Sequence, residues 1–479
     1  MFSIKKTVMY RNILTLIFYH LFFLTYSQEN IHTNKRIVKQ REDFNIFKAT
    51  LKECHIGLYN YNDTTSINLL FKKLENNINE RALSPIELFA HYSDFISNIK
   101  CIHTQIGHKQ FIKMIKDYDK LNELFQYCDN QLFSKNSYSS ENLKLEENDK
   151  LLEINDEPIL KIKDSLFNFI SSDGNNLTFK EKRLKNNFFK FYSLYAPDET
   201  TIKLKYTHKN DTLQSTLNLE KLSYKVKSTK SQKNQDKLSY TINTDRNTAI
   251  LTLPKPLPNN KKYEKELTNF ILKINSLNIE TLVIDLRDNL GGRDQTRLLE
   301  HLIKEPITYS TIEYRQIHKT KYKKHFTKKL RLQYLVSSLI GRFVNNHPEK
   351  TLEPKEQFVG KVYVIINGYT VSAASNLAST LKEFANAKIV GEESGGGYKL
   401  WNSGGVILKL PNSKILIRIP NIKGTNTVNT NYQCDGVSPI INFDEDCSVK
   451  NNTSNTLDFL LDYIIKQEVN DNRKEMPKH

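Results

Sequence analysis

The sequence has 479 residues, enough for about two or three domains and at least one sizeable core. Hydrophobic residues make up 38% of it, as in a globular protein, and no apolar run is long enough to span a bilayer. The formal net charge is +17, but the Lys-rich stretches 226–237 and 319–331 lack regular aromatic residues and any nucleic-acid motif. We therefore expect solvated segments there and no nucleic-acid partner.

Residues 1–27 have the pattern of a secretory signal peptide. Lys5, Lys6 and Arg11 form a basic start, and a short, mostly apolar run over residues 13–26 ends before Ser27. The pattern predicts export to the periplasm, or to the extracellular side or cell envelope, with no integral membrane domain after cleavage. An uncleaved N-terminal anchor is the alternative.

Two segments follow the predicted signal peptide. Residues 28–135 are predicted to form a helical N-terminal domain, because apolar residues recur at helical spacing and Pro85 stands where a helix would open. Residues 136–226 alternate between apolar and polar positions. They predict a small β-rich domain, with a turn at Asn155-Asp156 and a hairpin turn near 208–211.

After a polar linker at 227–237, strands alternate with helices over residues 238–465. This alternation predicts an α/β core with a largely parallel sheet, within a multi-domain α+β chain. The predicted strands are 248–253, 281–286, 361–366 and 388–391, and the predicted helices are 263–277, 296–304 and 372–387. Residues 305–357 interrupt the core as a basic, aromatic insertion, and residues 466–479 form a polar tail.

Two segments of the core carry the residues that point to chemistry. Asp285–Gly292 follows a buried strand, and its paired glycines, Gly291 and Gly292, let backbone N–H groups approach a ligand. Asn367–Ser375 joins a buried strand to a helix and places Ser372 at the helix start, where N–H groups face developing negative charge. This position suits a nucleophilic serine, and an ordinary helix N-cap is the alternative.

Together these segments resemble the C-terminal processing peptidase and tricorn-core family of serine peptidases. The matching motifs are Asp285-Leu-Arg-Asp-Asn-Leu-Gly-Gly, Thr370-Val-Ser-Ala-Ala-Ser, Gly391-Glu-Glu-Ser-Gly-Gly and Gly436-Val-Ser-Pro-Ile. The resemblance spans about residues 85–465 and implies a crotonase/ClpP-like α/β core. It also implies that residues 136–226 are a PDZ-like domain, which would hold an extended peptide by strand addition.

The resemblance also implies roles for individual residues. Ser372 would be the nucleophile, and the N–H of Ala373 with one from the Gly291-Gly292 turn would form the oxyanion hole. In the tricorn-like branch the general base is a histidine, and the matching residue here is His103. In the processing branch the base is a lysine, and the alternative here is Lys399, two places beyond the matching position.

The sequence departs from the family pattern at several places. Ser375 stands where glutamate is usual, and Gln433 stands where tricorn-like members place a glutamate that helps to orient the histidine. The usual Pro-Asp becomes Pro439-Ile440, and Asp435 is an alternative third residue. These departures leave open a catalytically decayed peptide-binding scaffold on the same fold. The retinoid-binding members of the family suggest a further alternative, a binder of hydrophobic small ligands.

The sequence thus predicts an exported serine endopeptidase that hydrolyses peptide bonds through an acyl-enzyme, with peptides or unfolded proteins as substrates. We expect no cofactor and no metal, since no Cys/His cluster has zinc spacing. The chain has 5 cysteines, an odd number, so at least one is free or pairs between chains.

Overall fold

The computed structural model describes residues 33–107, 115, 118–197, 199–209, 211–222, 237–293, 296–315, 317, 320–327, 349–428, 436–442 and 461–464. The predicted signal peptide and C-terminal tail, and residues 227–236 of the predicted linker, lie outside the described residues. None of the described helices is a candidate for crossing a membrane by length and apolarity.

In chain order the described helices are α1 (33–54), α2 (Thr64–Glu80), α3 (Pro85–Asn98), α4 (Asp119–Leu124), α5 (Ile159–Leu166), α6 (Thr178–Leu184), α7 (Phe188–Tyr195), α8 (Lys261–Ser276), α9 (Ala373–Phe384) and α10 (461–464). The described strands are β1 (Gln105–Ile106), β2 (Phe125–Cys128), β3 (Gln131–Ser134), β4 (Tyr138–Ser139), β5 (Lys144–Leu145), β6 (Lys150–Ile154), β7 (Glu157–Pro158), β8 (Thr201–His208), β9 (Asp211–Asn218), β10 (Ser239–Asn243), β11 (Thr248–Thr252), β12 (Thr281–Asp285), β13 (Ile307–Tyr314), β14 (Glu349–Leu352), β15 (Lys361–Ile366), β16 (Lys388–Gly391), β17 (Leu400–Ser403), β18 (Val406–Lys409), β19 (Leu416–Ile419), β20 (Ile422–Asn426) and β21 (Ile441–Asn442). Short 3-10 helices cover Phe167–Phe169, Leu299–His301 and Lys321–His325.

These elements divide into two compact units. The N-terminal unit comprises residues 1–114, 314–346 and 404–422, and the core unit comprises residues 115–313, 347–403 and 423–479. Helices and several sheets are mixed along the chain, so the predicted α+β class is confirmed.

Helices α1, α2 and α3 of the N-terminal unit pack through aromatic side chains. Phe47 stands edge-on to Tyr92 and to Phe95, with ring centroids 5.1 Å apart in both pairs. Helix α3 begins at Pro85, as predicted, because Ser84 caps the first turn and the glutamate three residues later completes a capping box.

A hairpin of β18 and β19 belongs to the same unit and is anchored by one buried carboxylate. Strand β1 pairs with β19, with Gln105 opposite Arg418. Asp43 of α1 is fully buried and accepts hydrogen bonds from the N–H groups of Asn412, at 2.9 Å, and Ser413, at 2.7 Å. A buried carboxylate requires such donors, so Asp43 ties the hairpin turn to α1.

Residues 118–222 of the core unit contain a five-strand path in the order β2-β3-β6-β8-β9, which we call the β-rich module. Asn155 and Asp156 form the predicted turn with φ values of 51° and 62°, and β8 and β9 form the predicted hairpin. The predicted boundary at residue 135 needs correction, because β2 and β3 precede it and yet pair with each other and with β6. Each has 4 residues, too few for periodicity to separate a strand from a helix.

The outer edge of β2 is closed by the chain itself. The N–H of Tyr127 donates to the carbonyl of Lys185 at 3.0 Å, and the N–H of Phe125 donates to the carbonyl of Leu121. The ring of Tyr127 also stacks on Phe188 at 5.7 Å. Because these N–H groups are already bonded, we assign no strand addition of a peptide to the β2 edge.

The centre of the core unit is a sheet in the order β10-β11-β12-β15-β16-β21. Its neighbouring strands are parallel except for the β10–β11 pair, so the predicted largely parallel sheet is confirmed. The predicted helices at 263–277 and 372–387 are found as α8 and α9, which bury their apolar faces in the main core cluster. A second sheet, β14-β13-β20-β17, includes the described strands of the predicted insertion.

The predicted helix at 296–304 is wrong, because the structure has only a short 3-10 helix at Leu299–His301. The backbone carbonyls of Glu300 and His301 accept hydrogen bonds from the N–H groups of Lys355, at 2.8 Å, and Phe358, at 3.0 Å. These long-range bonds take the place of helical ones, a tertiary effect that local periodicity does not contain.

Three of the cysteines have a described state. Cys128 is disulfide-bonded, whereas Cys54 and Cys101 are buried and take part in no disulfide. Burial raises the pKa of the Cys54 thiol to about 12, so the thiol stays protonated at neutral pH.

We expect Asp43→Ala to lower the free energy of unfolding of the N-terminal unit by about 2–3 kcal/mol, since two buried N–H groups lose their charged acceptor. Chemical denaturation followed by near-ultraviolet circular dichroism measures the change. Asp43→Asn keeps one acceptor oxygen and should lose less. An Asp43→Ala protein as stable as the wild type would contradict the anchoring role of this carboxylate.

Candidate active site

Ser372 lies at a sharp turn between a strand and a helix, which we call the serine elbow (residues 370–373). Strand β15 ends at Ile366, and α9 begins at Ala373. Ser372 has φ 58° and ψ −125°, a backbone conformation that costs a residue with a side chain on the order of 1–3 kcal/mol. Such strain persists only where surrounding contacts impose it. A strained serine at a strand-to-helix turn is the geometry of an exposed nucleophile.

Side chains of the preceding loop impose part of this conformation. The hydroxyl of Thr370 donates to the carbonyl of Leu286 at 2.9 Å. The Asn367 amide donates to the Asp288 carboxylate and accepts from the Asp288 N–H, both at 3.0 Å. The loop after β15 is therefore tied to the loop after β12, its parallel neighbour, which explains why the two sequence motifs occur together.

Gly291 touches the serine elbow from one side. Its φ is 91°, and a Cβ atom built on it would lie 2.7 Å from the nitrogen of Ala373 and 2.9 Å from Cβ of Ser372. Only glycine fits this contact. Asn289, which is fully buried, fixes the turn by accepting the N–H of Val371 at 3.0 Å on its backbone carbonyl.

Two backbone N–H groups beside the serine elbow, those of Ala373 and Gly292, have no acceptor among the described residues. Ala373 is the first residue of α9, where an N–H lacks an intrahelical partner. The carbonyl of Gly291 and the N–H of Arg293 both bond to the backbone of Leu257. The N–H of Gly292, which lies between them, therefore points away from Leu257. The N–H of Gly291 already donates to the Asn289 side chain at 3.1 Å, so Ala373 and Gly292 remain as candidates among the predicted oxyanion donors.

Residues 394–397, which we call the glycine run, lie against the other side of the serine elbow. The N–H of Gly396 donates to the carbonyl of Thr370 at 3.1 Å, and a Cβ atom built on Gly396 would lie 2.8 Å from the nitrogen of Ser372. Ser375, the residue found in place of the family's glutamate, donates its hydroxyl to the carbonyl of Ser372 at 2.9 Å. The strained serine is thus enclosed between two glycine backbones.

The core unit provides an alcohol and N–H donors. The Ser372 hydroxyl has no hydrogen-bond partner among the described residues of this unit. Lys399 is partly buried, and its backbone carbonyl accepts the N–H of Asn426 at 2.8 Å; no hydrogen bond of its ammonium group to Ser372 is found in the described part of the unit. The described residues also contain no group of three or more His, Cys, Asp or Glu side chains arranged to hold a metal ion.

His103 lies in the N-terminal unit, in the turn between α3 and β1. Its Nδ1 atom is buried and has no hydrogen-bond partner among the described residues. Burial and the positive charge of Arg418 lower the pKa of His103 to about 3, so the imidazole is neutral at physiological pH. Gln433 and Asp435, the predicted supporting residues, lie outside the described residues.

Sequence reasoning missed a second layer of the site. Asn176 of the β-rich module donates its amide to the carbonyl of Ser394 at 2.9 Å, and the Asp173 carboxylate accepts the N–H of Gly397 at 3.4 Å. The polar run at 171–178 is similar to exported bacterial members of the family, but this similarity gives its residues no role, and the local pattern indicates only a loop.

Comparison with known proteins bears on the core unit most strongly. Residues 247–443 match the family model of Peptidase family S41, and no curated protein matches the chain. A structure of mature CPAF complexed with lactacystin is similar with a TM-score of 0.55 and 12% identity, over 91% of this chain and 98% of that chain. A structure of mature CPAF alone has a TM-score of 0.52 and 13% identity, over 85% and 93% of the two chains. At these identities the structures show a shared fold alone.

The family match covers the Asp285–Gly292 turn, the serine elbow and the glycine run, the three segments that the fold brings into contact. It therefore confirms the resemblance to the C-terminal processing peptidase family that these motifs indicated. Residues 247–443 thus match Peptidase family S41, and the protein is a serine-type peptidase.

Proposed function

We propose that the protein is an exported endopeptidase that cleaves peptides or unfolded proteins through an acyl-enzyme on Ser372, with His103 as the general base. The serine elbow carries the proposal. An N-cap serine would accept an N–H of the first helical turn on its side chain, but Ser372 makes no such bond and adopts a strained conformation instead. Strain without capping is expected of a residue held for reaction.

In the proposed mechanism, the Ser372 oxygen attacks the carbonyl carbon of the scissile bond while its proton passes to the base. The carbonyl oxygen becomes an oxyanion that accepts hydrogen bonds from the N–H groups of Ala373 and Gly292. The base then protonates the leaving amine, and water hydrolyses the remaining ester. Because both donors belong to rigid backbone, they need little reorganisation as charge develops.

The role of His103 is supported by its matching position in the tricorn-like branch and by its neutral state. A base must be unprotonated before it can accept the serine proton, and burial keeps this imidazole neutral. A pKa of about 3 also means that the imidazolium is costly to form. The proposal therefore requires a negative group that stabilises the imidazolium during attack, and Asp435 is the acid nearest to the matching sequence position.

Export is part of the proposal and is supported by two observations. Residues 1–27 have the composition of a signal peptide. Cys128 is disulfide-bonded, and structural disulfides persist in the periplasm and outside the cell rather than in reducing compartments.

The alternative is a peptide-binding scaffold on the same fold. It is favoured by Ser375 at the position of the usual glutamate and by the absence of a hydrogen-bond partner for the Ser372 hydroxyl among the described residues of the core unit. The two functions differ in whether Ser372 reacts.

Ser372→Ala is expected to reduce peptide hydrolysis by roughly 10⁶-fold and to abolish labelling by a fluorophosphonate probe, because no other group can form the acyl-enzyme. Ser276→Ala, at an exposed serine of the same domain, is the matched control and should keep both activities. Undiminished turnover in Ser372→Ala would overturn the nucleophile. A folded wild-type protein that neither labels nor cleaves any peptide would favour the scaffold.

Gly291→Ala should also abolish labelling, because the added methyl group would collide with the backbone at Ala373 and force Ser372 out of its conformation. Val359→Ala, at a side chain 83% exposed, is the control and should label as the wild type does. Labelling is followed by intact-protein mass spectrometry. A Gly291→Ala protein that labels at the wild-type rate would show that this contact does not hold the nucleophile.

The acid limb of kcat/KM should lie well below pH 6.5, because the pKa of His103 is lowered to about 3 and a lowered pKa keeps the base neutral as the pH falls. Arg418→Met removes a positive charge that contributes to this shift, so the limb should move to higher pH.

His103→Gln should be inactive and Lys399→Met active. An acid limb near pH 6.5 that does not move in Arg418→Met would exclude His103 as the base. So would an active His103→Gln protein together with an inactive Lys399→Met protein.

A further inference from the structure

Residues 172–179 of the β-rich module, which we call the docking segment, bury polar side chains that the proposed mechanism does not use. Ser172 is 1% exposed, Asp173 is 2% exposed and Asn176 is 1% exposed. Polar groups this deeply buried are almost always hydrogen-bonded, so their partners indicate what the segment supports.

The known partners are backbone groups in the glycine run or next to it, and one of them, the N–H of Gly397, donates to the Asp173 carboxylate at 3.4 Å. The Asn176 amide donates to the carbonyl of Ser394 at 2.9 Å, and the Thr178 hydroxyl donates to the carbonyl of Glu393 at 2.8 Å. Neither bond involves a side chain of the run. The docking segment therefore positions the main chain of the run itself.

Only the backbone of the glycine run separates the docking segment from the serine elbow. A Cβ atom built on Gly395 would lie 2.9 Å from Cβ of Phe179 on one side. A Cβ atom built on Gly396 would lie 2.8 Å from the nitrogen of Ser372 on the other side. Because Gly395 and Gly396 have no side chain that could absorb a movement, a shift of the docking segment would reach the nucleophile directly.

Both ends of the Asn176 amide are engaged. Its oxygen accepts the N–H of Phe179 at 3.0 Å, which aims the nitrogen at Ser394. Aspartate has the same shape and would keep the acceptor. It would lose the donor and place a negative oxygen against a carbonyl oxygen. Position 176 therefore requires an amide, and a carboxylate of the same shape would not replace it.

We propose that Asn176 is a positioning residue of the peptidase, which holds Ser372 in its reactive conformation through the glycine run. The inference rests on the proposed role of Ser372 as nucleophile. It assigns the β-rich module a task in building the active site, and the closed edge of β2 is consistent with a supporting role for this part of the chain.

The test compares Asn176→Asp with the wild-type protein in kcat and KM on a fluorogenic peptide, and in the rate of fluorophosphonate labelling. We expect kcat and the labelling rate to fall together by about 10- to 100-fold with KM little changed, because misplacement affects reaction rather than binding. The matched control is Tyr195→Phe, which removes a bond from Tyr195 to Glu157 (2.7 Å) inside the β-rich module. It should lower Tm and leave kcat unchanged.

An Asn176→Asp protein with wild-type kcat would overturn the inference. So would a rise in KM alone, or a loss of kcat that both variants show in proportion to their loss of Tm. If Asn176→Asp does not fold, Thr178→Val removes the neighbouring bond to Glu393 and carries the same expectation. If the wild-type protein shows no label at Ser372, the proposed function fails, and the inference fails with it; a labelled wild type with an unaffected variant refutes the inference alone.

Discussion

The candidate active site depends on a strained serine backbone that is held between two glycines. The conformation of Ser372 costs on the order of 1–3 kcal/mol and must be offset by contacts on both sides. Gly291 supplies one contact and Gly396 the other, and neither position has room for a methyl group. The loops that carry Ser372 and Gly291 follow β15 and β12, and parallel neighbours end at the same edge of a sheet. The order of strands in the central sheet is therefore what allows the site to form.

This arrangement separates the tasks of the site by chain segment. The core unit holds the Ser372 hydroxyl, the N–H donors and the glycine run. Within this unit, the β-rich module makes hydrogen bonds with the backbone of the run on the side away from Ser372. The proposed base belongs to the N-terminal unit, where burial makes it neutral. Burial keeps His103 ready to accept a proton but raises the free energy of the imidazolium that then forms. The charged groups around His103 therefore determine the rate of the proposed reaction.

The sequence could predict those parts of the fold and site that depend on residues close together in the chain. The parallel strands have continuous apolar runs, α9 is rich in alanine, and the glycine pair and Ser372 lie in motifs that a family resemblance could identify. The helix at 296–304 was wrong because backbone bonds from Lys355 and Phe358 replace it. Asn176 could not be found, because its partner lies 218 residues away and nothing in the local pattern distinguishes it from a loop asparagine.

The central claim is that Ser372 keeps its strained conformation with two N–H donors aimed at a developing oxyanion. A crystal structure of the protein after reaction with a fluorophosphonate tests it most directly. The account predicts phosphorus on the Ser372 oxygen, a positive φ at Ser372, and a phosphoryl oxygen within hydrogen-bond distance of the N–H groups of Ala373 and Gly292. A relaxed serine backbone, or a phosphoryl oxygen directed away from both donors, would contradict it.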